Sequence, residues 1–404
     1  MMNTKTALAA VFTIIMLIVG CRREPQVEIL KPPYDNPLAP GAPALRKITN
    51  PYEIPDFTLA CLDTKNLRDS IDFSLTYLSK PSSQKFFPIQ DITHYRSVRS
   101  LRVFGELLDS GLTGAALNQA IREKFDVYMS VGCDGQGTVL FTGYYTPIFE
   151  GSFTPSDKYR YPLYKQPPDL IKEPDGHILG RRMPDGSVTK YPSRAEIEQT
   201  QMLNGNELIY LSDPFEVYIA HVQGSAKIRL PDGKLETVGY AATNGHDYKS
   251  ITTQMINDGA INKSQLSLGA MIEHFKKNPD QVAKYTQINP RFVFFLRQEG
   301  DPRGSLNVPV TAYRSIATDK SIFPRGAMTF ISTSLPQEQG GQISNRIYSG
   351  FALDQDTGGA IRAPGRCDVY MGIGDMAGRL AGQTYQEGKL YYLFLKPSAD
   401  IVHY

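Results

Sequence analysis

Between two apolar, strand-like pieces, Phe351-Ala-Leu353 and Val369-Tyr-Met371, the chain runs Asp356-Thr-Gly-Gly-Ala-Ile-Arg-Ala-Pro-Gly-Arg-Cys-Asp368. Gly358-Gly359 and Pro364-Gly365 break any regular element there and predict a tight reversal. Such a reversal brings Asp356 and Asp368 to one end of a sheet. Carboxyls held together in a partly buried setting take separated pKa values, which suits one of them to act as an acid near neutral pH. The same spacing also fits a glycine-rich hairpin whose aspartates only cap turns.

The N-terminus speaks to compartment. Lys5 precedes an almost unbroken apolar run from Ala7 to Val19, which ends at Ile18-Val19-Gly20-Cys21. The run falls below the roughly 18–20 residues of a membrane span. A small residue directly before Cys, after aliphatic ones, resembles a bacterial lipobox: a signal peptide over 1–20 and lipid on Cys21. Arg22, in place of Asp, reads as an outer-membrane address, facing the periplasm. Residues 21–56 then read as a lipidated Cys and a tether, because prolines at 25, 32, 33, 37, 40, 43, 51 and 55 favour extended conformations of about 3 Å per residue. Part of this stretch has the option of wrapping the folded domain.

Roughly 350 residues follow, room for two ordinary domains. Lys plus Arg is 43 and Asp plus Glu is 41, so no strong field points to nucleic acid. Beyond Cys21 the cysteines are Cys61, Cys133 and Cys367. An odd number permits at most one internal disulfide, for which Cys61 and Cys133 are the expected pair. Cys367 reads as buried packing beside Asp368.

Periodicity gives an α+β, mostly β, chain. Helical spacing runs through 66–130 (Leu67, Ile71, Leu75, Leu78, then Leu101, Phe104, Leu107, Leu108) and returns over 248–278. Short strands are expected at Val139–Thr142, Glu207–Leu211, Val217–Val222, Lys227–Leu230 and Thr237–Tyr240, with Pro231-Asp-Gly233 turning a hairpin. Further strands are expected at 292–296, 308–311, 327–331 and 390–395.

Six histidines show no ligand spacing and no Cys-x-x-Cys occurs, so no metal site and no cofactor is expected. Gly372-Ile-Gly374 matches a loose dinucleotide pattern, but no ribose-binding acid follows at the required distance, and a strand-to-helix turn accounts for it better. Three clusters sit at expected strand ends: Tyr144-Tyr145-Thr146, Gln223-Gly224-Ser225, and Tyr240 with Asn244 and Tyr248. Aromatic faces, amides and hydroxyls suit sugars. Each cluster taken singly is equally an ordinary turn.

Taken in order, Phe141-Thr-Gly-Tyr-Tyr-Thr-Pro147, His221-Val-Gln-Gly-Ser225, Gly239-Tyr-Ala-Ala-Thr-Asn-Gly-His246 and Asn289-Pro-Arg-Phe-Val-Phe-Phe295 resemble the membrane-bound lytic murein transglycosylase A family. Val308-Pro-Val-Thr311, Arg314 to Asp319, Pro324-Arg-Gly326 and Asp356 through Asp368 resemble its three-aspartate region, here 308–395. The resemblance implies a double-psi β-barrel with helices, in two parts at 57–144 and 241–404, and an inserted β-domain at 145–240 that completes a groove for peptidoglycan glycan strands. It implies cleavage of the MurNAc-β-1,4-GlcNAc bond without water, leaving a 1,6-anhydro end. Asp368 is then the single acid/base, Asp356 its support and Asp319 a weaker, more structural third. Two guanidiniums, Arg362 and Arg366, sit in the reversal, and either one paired with Asp368 would lower its pKa and so weaken its role as a proton donor near neutral pH; Arg362 is expected to face solvent or substrate. A hydrolase on the same barrel needs a second carboxyl about 6.5–9.5 Å away to activate water. A murein-binding lipoprotein that only tethers needs neither, and protein partners are not legible.

Overall fold

The computed structural model describes residues 33–173, 176–263 and 266–397; Cys21 and the signal-like run lie outside the described residues. In chain order the first part holds β1 (Leu45–Lys47), α1 (Leu67–Leu78), α2 (His94–Asp109), α3 (Gly114–Lys124), β2 (Phe125–Ser130) and β3 (Val139–Thr146). Next come β4 (Ile148–Ser152), β5 (Tyr161–Tyr164), β6 (Leu170–Lys172), β7 (Ile178–Arg182), β8 (Val188–Thr189), α4 (Arg194–Thr200) and β9 (Glu207–Leu211). These are followed by α5 (Pro214–Gln223), β10 (Ala226–Arg229), β11 (Leu235–Thr243), α6 (Thr252–Asn257), α7 (Leu268–Lys277), α8 (Val282–Thr286) and β12 (Val293–Gln298). The last part holds β13 (Ser315–Ala317), β14 (Met328–Gln339), β15 (Gln342–Asp356), β16 (Arg366–Ile373), α9 (Asp375–Gln383) and β17 (Tyr385–Leu395).

Six strands close a barrel in the order β17-β14-β15-β13-β16-β3, with β3 pairing back onto β17. This closed six-stranded barrel is the architecture that the resemblance implied. Closure removes the free edges that an open sheet would present. Alternate residues point inward, so Ile316, Ile331, Val369 and Tyr392 fill the barrel. On its outer face Leu67, Ile71, Phe104 and Leu117 of α1–α3 pack against Phe330 and Phe351. Thr93 caps α2 by accepting from Arg96 N at 3.1 Å, and the buried Leu101, Phe104 and Leu107 form its apolar face. Gly374, at φ 87°, turns β16 straight into α9, the strand-to-helix turn expected there.

A second sheet runs β12-β11-β10-β4-β9-β5, and α5 through α8 bury Phe215, Ile219, Met255 and Phe275 against it. The expected end of the inserted β-domain at 240 falls inside this sheet. β11 continues to Thr243 and pairs antiparallel with β12, so residues 241–298 complete the second lobe instead of returning to the barrel.

Four local expectations change. Val217–Val222 is not a strand but the body of α5: Asp213 accepts from Phe215 N and Glu216 N, Pro214 opens the helix, and Gly224 ends it in the left-handed conformation. Gln223-Gly224-Ser225 therefore follows a helix. Residues 308–311 form a loop with an isolated bridge, Arg303 to Pro309. Cys61 and Cys133 are free thiols, the first buried under α1–α3 and the second beside Gly365. The described end of the expected tether belongs to the domain, since β1 pairs with β2 and buries Ala44, Leu45 and Ile48.

Candidate active site

Strand register brings the two aspartates of the reversal together. Asp356 ends β15 and pairs with Ala317 of β13; Asp368, on β16, pairs with the same Ala317 from the other side. A register shift between Ile316 and Ala317 sets Asp356 beside Ala317, and the two carboxyls lie near enough to act on each other and on the Tyr144 phenol. Thr142 is the partner of Asp368 on β3, and its hydroxyl donates to Asp368 Oδ1.

The two carboxyls are held differently. Asp356 Oδ1 accepts from Ser305 N at 2.7 Å and from Thr357 N at 2.8 Å. Burial raises its pKa, while those two donors, Tyr144 and the ammonium of Lys320 all favour the ionised form. Among the described residues Asp368 accepts one hydrogen bond, from the Thr142 hydroxyl. Burial is the main force raising its pKa and the nearby Asp356 adds to it, whereas Arg366 and the Thr142 hydroxyl pull the other way. The Tyr144 hydroxyl is buried and feels the charge of both aspartates, with no partner in bonding geometry among the described residues. Its ring packs on Tyr370 with centroids 5.1 Å apart.

The flagged guanidiniums separate. Arg362 is exposed, whereas Arg366 pairs with Asp35 at 2.8 Å. Asp319 lies just beyond β13, in the loop to β14, and accepts from Ala363 N at 3.0 Å and from Ser321 N and Oγ. It pins the Arg362-Ala363 turn, in which Ala363 is at φ 67°, and so shapes the reversal.

The second lobe meets the barrel beside this point. Tyr145 N donates to Gln223 Oε1 at 3.2 Å, and Thr146 Oγ1 lies 2.9 Å from Tyr370 Oη and 3.4 Å from Ser225 Oγ. Gly224 is the helix cap in between. Arg291 leans over Gly359, where a Cβ would stand 3.2 Å from its Nε. Half of Tyr240 is open to solvent and its phenol faces Arg291; Tyr248 lies against Tyr218. Asn244 is different. Its amide donates to Pro192 O and Pro290 O at 2.8 and 2.9 Å and accepts from Phe292 N at 2.8 Å, so its bonding capacity is used within the wall.

Thr142, Ser305, Lys320, Tyr370 and Asp35 join the site without having been singled out in the sequence. Thr142 lies inside the Phe141–Pro147 motif and was findable. Ser305 contributes only a backbone N–H and left no signal. Among the described residues no three His, Cys, Asp or Glu side chains cluster as a metal site.

Comparison with known proteins agrees with this geometry. Residues 140–296 match the MltA specific insert domain, and 314–394 match the 3D domain. Membrane-bound lytic murein transglycosylase A of Escherichia coli K12 is 33% identical over 281 residues, covering 69% of this chain and 71% of the relative. The Vibrio cholerae protein of the same name is 31% identical, covering 66% and 68%. Among solved structures, a membrane-bound lytic murein transglycosylase from Agrobacterium tumefaciens aligns with TM-score 0.72 at 25% identity, over 88% of this chain and 99% of that one. E. coli MltA with bound chitohexaose aligns with TM-score 0.65 at 26% identity, over 82% and 91%. A closed barrel with this aspartate pair, joined to that insert, defines an enzyme of the peptidoglycan lytic transglycosylase class. The chain belongs to the membrane-bound lytic murein transglycosylase A family.

Proposed function

We propose that Asp368 is the single general acid/base that cleaves the MurNAc-β-1,4-GlcNAc bond, with formation of a 1,6-anhydro-MurNAc end. The observation that carries this reading is the asymmetry of the pair. Burial raises the pKa of both carboxyls, but Asp356 has two backbone donors, Tyr144 and Lys320 acting against that rise, while Asp368 has only Arg366 and the Thr142 hydroxyl against it and a neighbouring carboxyl adding to it, a balance that favours the proton on Asp368.

Protonated Asp368 gives its proton to the glycosidic oxygen as the C1–O bond breaks. The resulting carboxylate takes the proton of the muramyl C6 hydroxyl as that oxygen closes onto C1. No water enters, so no second carboxyl is needed as nucleophile or base. Asp356 stabilises positive charge developing at the sugar ring and keeps Asp368 protonated between turnovers. The relative with bound chitohexaose supports a sugar chain as occupant of the groove between the lobes. In that groove Tyr144 faces the reacting bond, and Tyr145, Thr146, Gln223, Gly224 and Ser225 shape the floor where the lobes join. Tyr240, Tyr248 and Arg291 line the far wall.

The same reading places the enzyme on the outer membrane, facing the periplasm through lipid on Cys21; Cys21→Ala is expected to release it from the membrane fraction. The activity is tested by digesting purified peptidoglycan with the full-length protein in detergent and weighing the muropeptides. Products one water lighter than hydrolysis products, absent with Asp368→Asn, are expected. Hydrated reducing ends would instead make it a hydrolase.

A further inference from the structure

Arg366 opens β16 two positions before Asp368, so the two side chains lie on one face of the strand. Its guanidinium is shared. Nη1 pairs with Asp35 Oδ1 at 2.8 Å, and Nη2 lies 3.5 Å from the Thr142 hydroxyl that donates to Asp368. Its Nε is buried with no partner among the described residues.

Asp35 comes from outside the barrel. It belongs to a turn ahead of β1, closed by Asn36 N donating to Pro33 O at 2.9 Å, and the stretch from this turn lies against the start of β16 as a strap. Two contacts seat it. The Tyr34 hydroxyl donates to Glu387 Oε1 at 2.5 Å, and the Tyr34 carbonyl lies so close to Gly365 that a Cβ there would come within 2.6 Å of the oxygen. Glycine at 365 is what lets the strap lie beside Arg366.

Among the described residues the charged and titratable groups that act on Asp368 are few. Arg366 shares its face of the strand, Cys367 is its neighbour turned into the core, Asp356 is on β15, Tyr144 is on β3 and Asp35 is on the strap. Burial pushes the Cys367 thiol and the Tyr144 phenol well up, so both are neutral. Among the described residues Arg366 is the cation that acts against the proton on Asp368, and Asp35 is the anion paired with it.

We propose that Asp35 is a positioning residue for the catalytic acid: the strap seats its carboxylate on Arg366 and thereby withholds that guanidinium from Asp368. This rests on the assignment of Asp368 as the acid. The acidity of the site then depends on the Asp35–Arg366 pair.

The test is the pH dependence of peptidoglycan cleavage by full-length wild type, Asp35→Asn and the double variant Asp35→Asn/Arg366→Gln, with thermal melts alongside. A freed guanidinium stabilises ionised Asp368, so in Asp35→Asn the high-pH limb of kcat moves down by about half to one pH unit, and activity at neutral pH falls about threefold to tenfold. KM changes little. The double variant, which lacks the cation, returns the limb to the wild-type position or above it. A profile for Asp35→Asn that superimposes on wild type overturns the proposal. So does a uniform loss at every pH with a lowered melting temperature, which a merely structural strap would give. Asp368→Asn separates the two claims: retained activity there removes the acid itself, whereas its inactivity beside an unshifted Asp35→Asn profile removes only the strap's role.

Discussion

Asp356 and Asp368 are register partners of the same residue, Ala317, one in a parallel pair and the other in an antiparallel pair. With strands about 4.8 Å apart, their backbones stand roughly 10 Å from each other with the Ala317 strand between them. If Asp368 is the acid, as proposed, the size of residue 317 bears on the space beside it.

Ala317→Leu is expected to fill that space. Ala317 is buried, so overpacking costs about 1–3 kcal/mol of stability, while misplacing the substrate at the acid lowers kcat on the order of a hundredfold. Muropeptide release measured beside a thermal melt checks both. A folded variant with wild-type turnover would show that the two carboxyls do not act on one bond.

Replacing each aspartate by asparagine should give different profiles. Asp368→Asn loses the proton donor, with a fall of about 10²–10⁴ in kcat at every pH. Asp356→Asn keeps the donor but removes the adjacent negative charge that helps raise its pKa. Its high-pH limb is expected to move to lower pH, with residual activity greatest under acidic conditions. Identical profiles for the two variants would contradict the division of roles.

Behind Asp356 lies a fully buried charge pair. Lys320 Nζ donates to Asp354 Oδ1 and to Thr318 Oγ1, while Thr318 and Tyr392 also donate to Asp354. Thr318 N in turn donates to the Asp356 carbonyl, so this pair supports the end of β15. Lys320→Met leaves a buried carboxylate unpaired and is expected to cost about 3–5 kcal/mol. Lys320→Met/Asp354→Leu should recover much of that, a coupling that denaturant titration would read.

Glu216, in the first turn of α5, has a carboxyl oxygen buried without a partner among the described residues. Burial, with Asp213 adding, raises its pKa to about 7. Between its unfolded pKa and about 7 the folded state holds a proton that the unfolded chain releases, so its contribution to stability falls as pH rises through that window and levels off above it. Glu216→Gln should flatten this part of the Tm profile, with the largest gain over wild type above neutral pH. A Tm difference that does not vary with pH would refute the assignment.

Much of the barrel was readable because closed strands show their period and buried runs plainly: Phe351–Leu353, Val369–Met371 and 390–395 all lie in barrel strands. The reversal was readable from glycine and proline alone. The strand reading of Val217–Val222 failed for a definite reason. A β-branched, aromatic run buried on a sheet looks like a strand, and the deciding signals lay at its ends, in Asp213-Pro214 and Gly224. The boundary at 240 failed because the β11–β12 pairing joins residues some fifty positions apart, and local composition does not report such contacts.

The motifs and their order determined the family, the barrel and the two aspartates, because turn chemistry and strand periodicity are local properties of the chain. The tertiary structure decided what those residues are able to do. It placed one alanine between two carboxyls, used up the amide of Asn244 inside a wall, left Cys61 and Cys133 apart, and laid Asp35 on Arg366. Each of these depends on distances between segments remote in sequence, and only packing sets such distances.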